Sequence, residues 1–170
     1  MNKQLSIRFS LHEFTRSATA KRLGIDNTPT SAEVNRMEAL CKVVLEPLRL
    51  IYKSPIRIGS GYRCPSLNKA VGGAKNSQHI RGEAADITSL HDDPELNMLM
   101  AKLLVNSQIP FDQCIIEYPD AKGNPDWIHV SYTNERPNRR QLLTCIDGKY
   151  YHGWLKKGFE TVQTRAVPLN

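Results

Sequence analysis

The chain of 170 residues is long enough for one domain with a buried core and too short to predict two. Its hydrophobic content of 40% and its charged content of 24% are ordinary for a soluble globular protein. The sequence contains no run of about 18 apolar residues, so no transmembrane helix is predicted. The formal charge of +6 comes from scattered Lys and Arg residues. Because no basic stripe with interleaved aromatic rings is present, the sequence argues against nucleic-acid binding.

The N-terminus gives no export signal. Residues 1–8 contain no apolar core of roughly 7–15 residues, so a Sec-type signal peptide is not predicted. We therefore expect the product to stay in the cytoplasm unless another factor carries it out. No Cys-x-x-Cys spacing is present either, and without export we expect reduced thiols at Cys41, Cys64, Cys114 and Cys145.

The first half of the chain contains one well-marked helix. Residues 1–29 have little periodicity, so we expect an extended arm or short helices packed on the body. Thr30-Ser-Ala-Glu33 has the form of a capping box, and the apolar residues after it recur at steps of three and four. They predict a helix over 31–50, with a kink at Pro47. One or two further helical turns are predicted over 65–71.

The second half mixes strands with one more helix. Asp93-Pro94 predicts a helix start, with inward side chains at Leu96, Leu99, Met100, Leu103 and Leu104. Strands are predicted at 56–58, 84–88, 112–117, 127–133, 141–146 and 149–154, and Asp147-Gly148 predicts a type I′ hairpin between the last two. Without a strict βαβ rhythm, these elements indicate a single α+β domain, with a small antiparallel sheet and helices packed on one side. We place the domain at 1–155, including an N-terminal arm at 1–29, and a tail at 156–170.

The stretch from Ser77 to Asp86 carries the strongest chemical signal. Its Ala-Ala-Asp-Ile end is typical of a short buried strand, and a carboxylate buried there needs a cation, a donor network or a metal. His79 lies seven residues earlier, and Gly82 permits a turn that folds its imidazole back toward Asp86. His129, on a later predicted strand, could supply a third ligand. Two His and one Asp suit a catalytic Zn²⁺ that keeps one position open for water.

These motifs resemble a known family. The pattern His79-x-x-Gly82-x-Ala84-x-Asp86 with Asp126-x-x-His129 downstream is similar to peptidase family M15, the zinc D-Ala-D-Ala carboxypeptidases and L,D-endopeptidases, which includes many phage endolysins. The likeness extends to Ser60-Gly-Tyr-Arg63, to Val130-Ser-Tyr132 and, in the N-terminal half, to 14–19 and 24–29. The closest likeness is to a small phage and prophage subgroup. It covers most of residues 10–145 and implies a fold like that of the hedgehog and D-Ala-D-Ala peptidases.

The resemblance implies a role for each site residue. His79, Asp86 and His129 would bind Zn²⁺, and Arg63 would hold a substrate carbonyl or carboxylate and stabilise the oxyanion. Asp126 would be the general base that activates the attacking water and protonates the leaving amine.

Four neighbouring residues complete the predicted site. Ser77 and Tyr62 are expected to contact substrate, and Ser77 could instead orient His79. Glu117, at the end of a predicted apolar strand, is a rival general base, because some chains of the subgroup lack an acid at the position of Asp126. Cys64 stands where similar chains often carry Ser, and its thiol could compete as a metal ligand.

The sequence thus predicts a zinc metallopeptidase that hydrolyses peptidoglycan stem peptides, as a D-Ala-D-Ala carboxypeptidase or an L-Ala-D-Glu-type endopeptidase. We expect a monomeric, phage- or prophage-derived hydrolase that inserts into no membrane and reaches the cell wall through a holin or lysis. The first alternative is an inactive zinc-bearing module that binds the wall or serves as a phage structural component. A zinc-independent nucleic-acid binder is the second alternative, and it predicts strongly salt-dependent binding.

Overall fold

The computed structural model describes residues 3–156, and a six-stranded sheet lies at its centre. The strands are β1 (Ile56–Ser60), β2 (Ala84–Ser89), β3 (Gln113–Glu117), β4 (Trp127–Ser131), β5 (Gln141–Ile146) and β6 (Lys149–His152). Across the sheet they lie in the order β1-β2-β4-β3-β5-β6. The predicted α+β class is confirmed.

One strand pair departs from the predicted antiparallel sheet. All neighbours run antiparallel except β3 and β5, which are parallel, so the sheet is mixed. After β4 the chain returns to the start of β3 on its other side, where the Gln141 amide donates to the Asp112 carbonyl at 2.9 Å. At the far edge, β5 and β6 form the predicted hairpin, and Asp147 and Gly148 both adopt the positive φ angles that a type I′ turn requires.

The helices agree broadly with the sequence pattern. They are α1 (Leu11–Thr15), α2 (Ala18–Leu23), α3 (Ser31–Leu40), α4 (Glu46–Tyr52), α5 (Pro65–Ala70) and α6 (Pro94–Asn106). The capping box at the start of α3 is confirmed, since the Glu33 carboxylate accepts from the Thr30 amide at 2.7 Å. A π-helical turn, Cys41–Leu45, joins α3 to α4 directly before Pro47. The wider π-helical turn accommodates the proline ring, which in a regular α-helix would clash with the carbonyl group four residues earlier.

The N-terminal segment is part of the core. Phe9 and Phe14 are fully buried, and the Tyr62 amide donates to the Phe14 carbonyl at 2.7 Å. A Cβ at Gly61 would lie 2.6 Å from that same carbonyl oxygen, so only glycine permits this approach of α1 to the loop after β1. The prediction of short helices packed on the body is confirmed for the described part of this segment.

The inward face of α6 was predicted incorrectly at two positions. Leu96 and Leu99 are 38% and 45% exposed, whereas Met100 and Leu104 are fully buried. Asn97 occupies the inward position instead: its side chain accepts from the Ser89 amide at 2.7 Å and donates to the Asp126 carbonyl at 2.9 Å. This polar residue ties α6 to the end of β2 and to the loop before β4, and the leucines on either side of it lie closer to the surface.

Two further predictions concern the limits of the domain. Within residues 3–156, no helix is both long and apolar enough to span a membrane. The predicted tail, 156–170, lies outside the described residues except for Lys156, and its detachment from the domain stays a prediction.

Candidate metal centre

The sheet has two different faces, and the candidate site lies on the one turned away from the main core. Asp86 on β2 pairs in register with His129 on β4, so their side chains lie side by side on the same face. The next row along β4 pairs Trp127 with Glu117 of β3. Alternation along the strands therefore places a carboxylate, an imidazole, an indole and a second carboxylate on one surface.

His79 reaches this surface from a short 3₁₀ helix, Gln78–Arg81. Ser77 caps that turn by accepting from the His79 amide at 3.3 Å, and Gly82 ends it with φ of 71°. A Cβ at Gly82 would lie 2.7 Å from the Glu33 carbonyl oxygen, so glycine is needed both for the turn and for its packing on α3.

Three potential ligand atoms form a nearly equilateral triangle. His79 Nε2 lies 3.2 Å from Asp86 Oδ1 and 3.1 Å from His129 Nδ1, and His129 Nδ1 lies 3.1 Å from Asp86 Oδ1. Tetrahedral Zn²⁺ with bonds of about 2.0–2.1 Å separates its ligand atoms by about 3.3–3.4 Å. The triangle fits one such ion, and this group could bind a metal.

Hydrogen bonds at the opposite ring nitrogens orient both imidazoles for that role. His79 Nδ1 lies 2.6 Å from the Gly61 carbonyl oxygen, which can only accept, so the proton is on Nδ1 and the Nε2 lone pair faces the triangle. His129 Nε2 lies 3.3 Å from Gln78 Oε1, which likewise places the proton on Nε2 and leaves Nδ1 as the ligand atom.

The amide of Gln78 is itself held by the buried carboxylate of Asp112, which is paired with Arg139. Gln78 Nε2 donates to Asp112 Oδ2 at 2.8 Å, and Arg139 donates to both oxygens of that carboxylate at 2.9 and 2.6 Å. Because the Asp112 carboxylate only accepts, it forces the Gln78 oxygen to face His129. The chain from Arg139 through Asp112 and Gln78 thus determines which nitrogen of His129 is available to a metal.

The protonation states of the ligand group suit metal binding. Burial lowers the pKa of His79 below its ordinary value, although the Asp86 carboxylate opposes this shift. Burial alone would raise the pKa of Asp86, but the His79 and His129 rings hold that pKa below its usual range. A neutral His79 imidazole and an ionised Asp86 carboxylate are the forms that bind a divalent cation.

The triangle opens onto a cavity of about 320 Å³. Around it lie Arg63, Ser77, Gln113, Glu117, Tyr118, Trp127 and Tyr150, together with the glycine-containing loop 71–74. Glu117 is 7% exposed, and burial raises the pKa of its carboxyl group, an effect that His129 partly offsets. A buried carboxyl group beside a candidate metal site, with its pKa moved upward, matches the requirements of a general base.

Arg63 carries a donor without a partner. One of its terminal nitrogens donates to Asp86 Oδ2 at 3.2 Å, while its Nε is buried and has no hydrogen-bond partner within the described residues. A buried, unpaired N–H group is costly, and a ligand that supplies an acceptor would remove that cost. Arg63 also lines the cavity, so its guanidinium lies beside the triangle where a substrate oxygen could bind.

The other predicted site residues lie in different places. Ser77 lines the cavity while capping the 3₁₀ turn, so both roles suggested for it are compatible with its position. Tyr62 is buried beside a neighbouring groove and does not line the cavity. Asp126 is exposed and lines an adjoining depression, which shares Asp86 and Trp127 with the cavity. Glu117 and Asp126 thus each line a space that borders Asp86, and of the two carboxylates only Glu117 is buried.

The remaining expectations divide between confirmation and correction. The four cysteines are buried and free, as predicted, and Cys64 Sγ lies 3.1 Å from Ser66 Oγ, outside the ligand group of residues 3–156. Trp127 is half-buried in the cavity wall beside Tyr118, with ring centroids 5.2 Å apart. Gln78 was missed; its position directly before His79 was the only signal available.

An α+β domain with a buried His-Asp-His group on one sheet face defines a candidate metallohydrolase. Its sequence matches the family model described as Peptidase M15 over residues 7–131, which is more than half of the chain. The chain belongs to peptidase family M15, a family of zinc-dependent peptidases of the peptidoglycan-hydrolase kind. No curated protein matches the sequence significantly.

Proposed function

We propose that the protein is a zinc peptidase that hydrolyses peptide bonds in peptidoglycan stem peptides. The observation that carries the proposal is the shared cavity, which is lined by the three candidate metal ligands, by Arg63 and by the buried Glu117. Family membership supports zinc as the metal and a wall peptide as the substrate. The phage origin and endolysin role remain predictions from the resemblance.

The residues that would hold zinc are His79, Asp86 and His129. When bound there, Zn²⁺ supplies Lewis acidity, which polarises a carbonyl group and lowers the pKa of a water to about 7. The donor set fits this metal because two neutral imidazoles and one carboxylate leave a fourth position open in tetrahedral coordination.

Glu117 acts on the proton in this proposal. Its carboxylate accepts a proton from the attacking water and returns it to the leaving amine, so that one group serves as base and then as acid. Burial raises the pKa of Glu117, which brings its affinity for a proton closer to the working pH.

Arg63 binds the oxygen on which negative charge develops. Arg63 lines the cavity, and the ion pair with Asp86 holds its guanidinium next to the candidate metal ligands. Donors aimed at a developing oxyanion typically contribute about 3–4 kcal/mol each to the transition state. The same guanidinium could bind a terminal carboxylate in a carboxypeptidase reaction.

The test is to incubate zinc-loaded protein with synthetic stem peptides and to identify the products by mass spectrometry. His79→Ala is the inactivating variant, and His152→Ala is the matched control because His152 is exposed and lies outside the cavity. We expect defined cleavage products from the wild type and His152→Ala, and none from His79→Ala, which should also lose zinc.

The outcome distinguishes the proposal from its alternative. Hydrolysis at full rate by His79→Ala protein verified to contain no zinc would show that the proposed chemistry is wrong. Zinc-loaded wild type that binds the peptides without cutting them would identify a wall-binding module instead. The mass of the products also separates carboxypeptidase from endopeptidase activity.

A further inference from the structure

A second groove, with a volume of about 790 Å³, lies directly beside the metal cavity. It runs between the N-terminal segment 12–21 and strand β1, and it shares Arg63, Val71 and Asp86 with the cavity. Because a metal ligand and the candidate oxyanion residue lie on the border between the two, a peptide chain that crosses the metal centre can extend into this groove.

Four Lys and Arg side chains line the groove, and two of them form no ion pair with a carboxylate of residues 3–156. Arg57 pairs with Asp92, and Arg63 pairs with Asp86. Arg16 and Lys21 are exposed and form no ion pair with any carboxylate of residues 3–156. The groove therefore carries uncompensated positive charge on the side formed by the N-terminal segment.

The position of Arg16 is fixed by contacts with the rest of the domain. Its guanidinium donates to the Ile58 carbonyl of β1 at 2.8 Å, which leaves other N–H groups available to a ligand. The segment before it is anchored by the hydrogen bond from the Tyr62 amide to the Phe14 carbonyl. A cation held in this way loses less conformational entropy on binding than one on a free surface side chain.

We propose that this groove binds a carboxylate of the substrate peptide at a position away from the scissile bond, and that Arg16 and Lys21 determine this preference. The inference rests on the proposed function and names the substrate class more closely: a peptide that carries a free carboxylate outside the bond to be cut. Stem peptides carry such carboxylates, which amidation converts to neutral groups. The family resemblance includes the segment 14–19 but gives it no role; in this proposal the segment supplies Arg16 to the groove.

Binding of a matched pair of peptides tests the inference without relying on turnover. The probe is a fluorescent stem tetrapeptide with free carboxylates, compared with the same peptide after amidation, and binding is measured by anisotropy. Zinc-loaded protein with Glu117→Gln is the background, so that the probe is not consumed. The test variant adds Arg16→Gln and Lys21→Gln. Its control adds Arg22→Gln and Lys102→Gln, which remove equal charge from exposed positions outside the groove.

We expect the background protein to bind the carboxylate peptide about tenfold more tightly than the amide, because each exposed ion pair changes an equilibrium by a factor of about 1.5 to 5. The groove variant should lose most of this preference, and the control should keep it. The preference should also fall as salt is raised from about 0.05 to 0.5 M.

Three results would overturn the inference: an undiminished preference in the groove variant, an equal loss in the control, or displacement of the probe by inorganic polyphosphate as effectively as by unlabelled peptide. The last result would indicate a site for polyanions in general. A wild type that cuts no peptide, yet shows the preference through Arg16 and Lys21, would disprove the proposed function and leave the groove assignment standing.

Discussion

The two faces of the central sheet show how one set of strands supports both stability and chemistry. The core face is formed by side chains with no measurable exposure: Ala85, Ile87, Cys114, Ile116, Ile128 and Val130. The opposite face carries Asp86, Glu117 and His129, which are also largely buried but polar. Because neighbouring residues on a strand alternate between the faces, single substitutions one residue apart should separate folding from function.

The largest contrast is expected between His129 and its neighbour Ile128. His129→Ala removes one of three ligand atoms, so zinc binding and hydrolysis should both be lost, with little cost to the fold. Ile128→Ala leaves the ligands in place and should lower the free energy of unfolding by about 2–5 kcal/mol. Urea denaturation, zinc content and turnover of a stem peptide measure the three effects.

This contrast can fail in two ways. If His129→Ala retains stoichiometric zinc, the triangle is not the metal site. If Ile128→Ala abolishes turnover while it remains folded and zinc-loaded, the two faces are coupled more strongly than the alternation of side chains implies.

The second contrast is between two carboxylates, Glu117 in the cavity and Asp126 outside it. Glu117→Gln should lower kcat by a factor of about 10² to 10⁴, the usual contribution of general acid–base catalysis, and Asp126→Asn should change it little. The base must be ionised to accept a proton, so the rate should rise with pH as the Glu117 carboxyl group loses its proton. This rise forms the acidic limb of the pH–rate profile. Burial raises its pKa, which moves this limb above pH 4.5, the ordinary value for a glutamate.

The pH profile of each variant decides the assignment. The acidic limb should vanish in Glu117→Gln and persist unchanged in Asp126→Asn. A large loss of kcat in Asp126→Asn, with normal turnover in Glu117→Gln, would restore the role that the family resemblance gave to Asp126.

A smaller effect on zinc affinity is expected from Gln78, which contacts a candidate ligand without being one. Gln78→Met has a similar volume but cannot accept from His129 or donate to Asp112, so the imidazole loses the bond that selects its tautomer. Zinc affinity, measured by competition with a chelator, should fall about 10- to 100-fold. Gln108→Met, at an exposed position, is the control. Unchanged affinity in Gln78→Met would mean that packing alone orients His129.

Local signals made much of this arrangement predictable from the sequence. The capping box at Thr30, the Asp93-Pro94 helix start and the Asp147-Gly148 hairpin depend on residues adjacent in the chain, and all three are confirmed. The ligand group could be proposed because a buried Asp86 needs a partner and because the family pattern supplied the two histidines.

The remaining features depend on contacts between distant residues. The parallel pairing of β3 with β5 is decided by the path of the chain after β4, where no local motif specifies a direction. The support of His129 by Gln78 joins residues 51 positions apart. Likewise, the choice between Glu117 and Asp126 depends on which carboxylate faces the cavity, and this requires the register of β3 against β4.

The smallest contrast lies on α6, which covers the core face. The sequence periodicity placed both Leu99 and Met100 inward, but Leu99 is 45% exposed and Met100 is fully buried. Leu99→Ala should therefore change the free energy of unfolding by no more than about 0.5 kcal/mol. Met100→Ala should lower it by about 2–5 kcal/mol. Urea denaturation measures both, with turnover as a check that the opposite face is undisturbed. Equal losses would place Leu99 in the core and contradict the orientation that the hydrogen bonds of Asn97 impose on this helix.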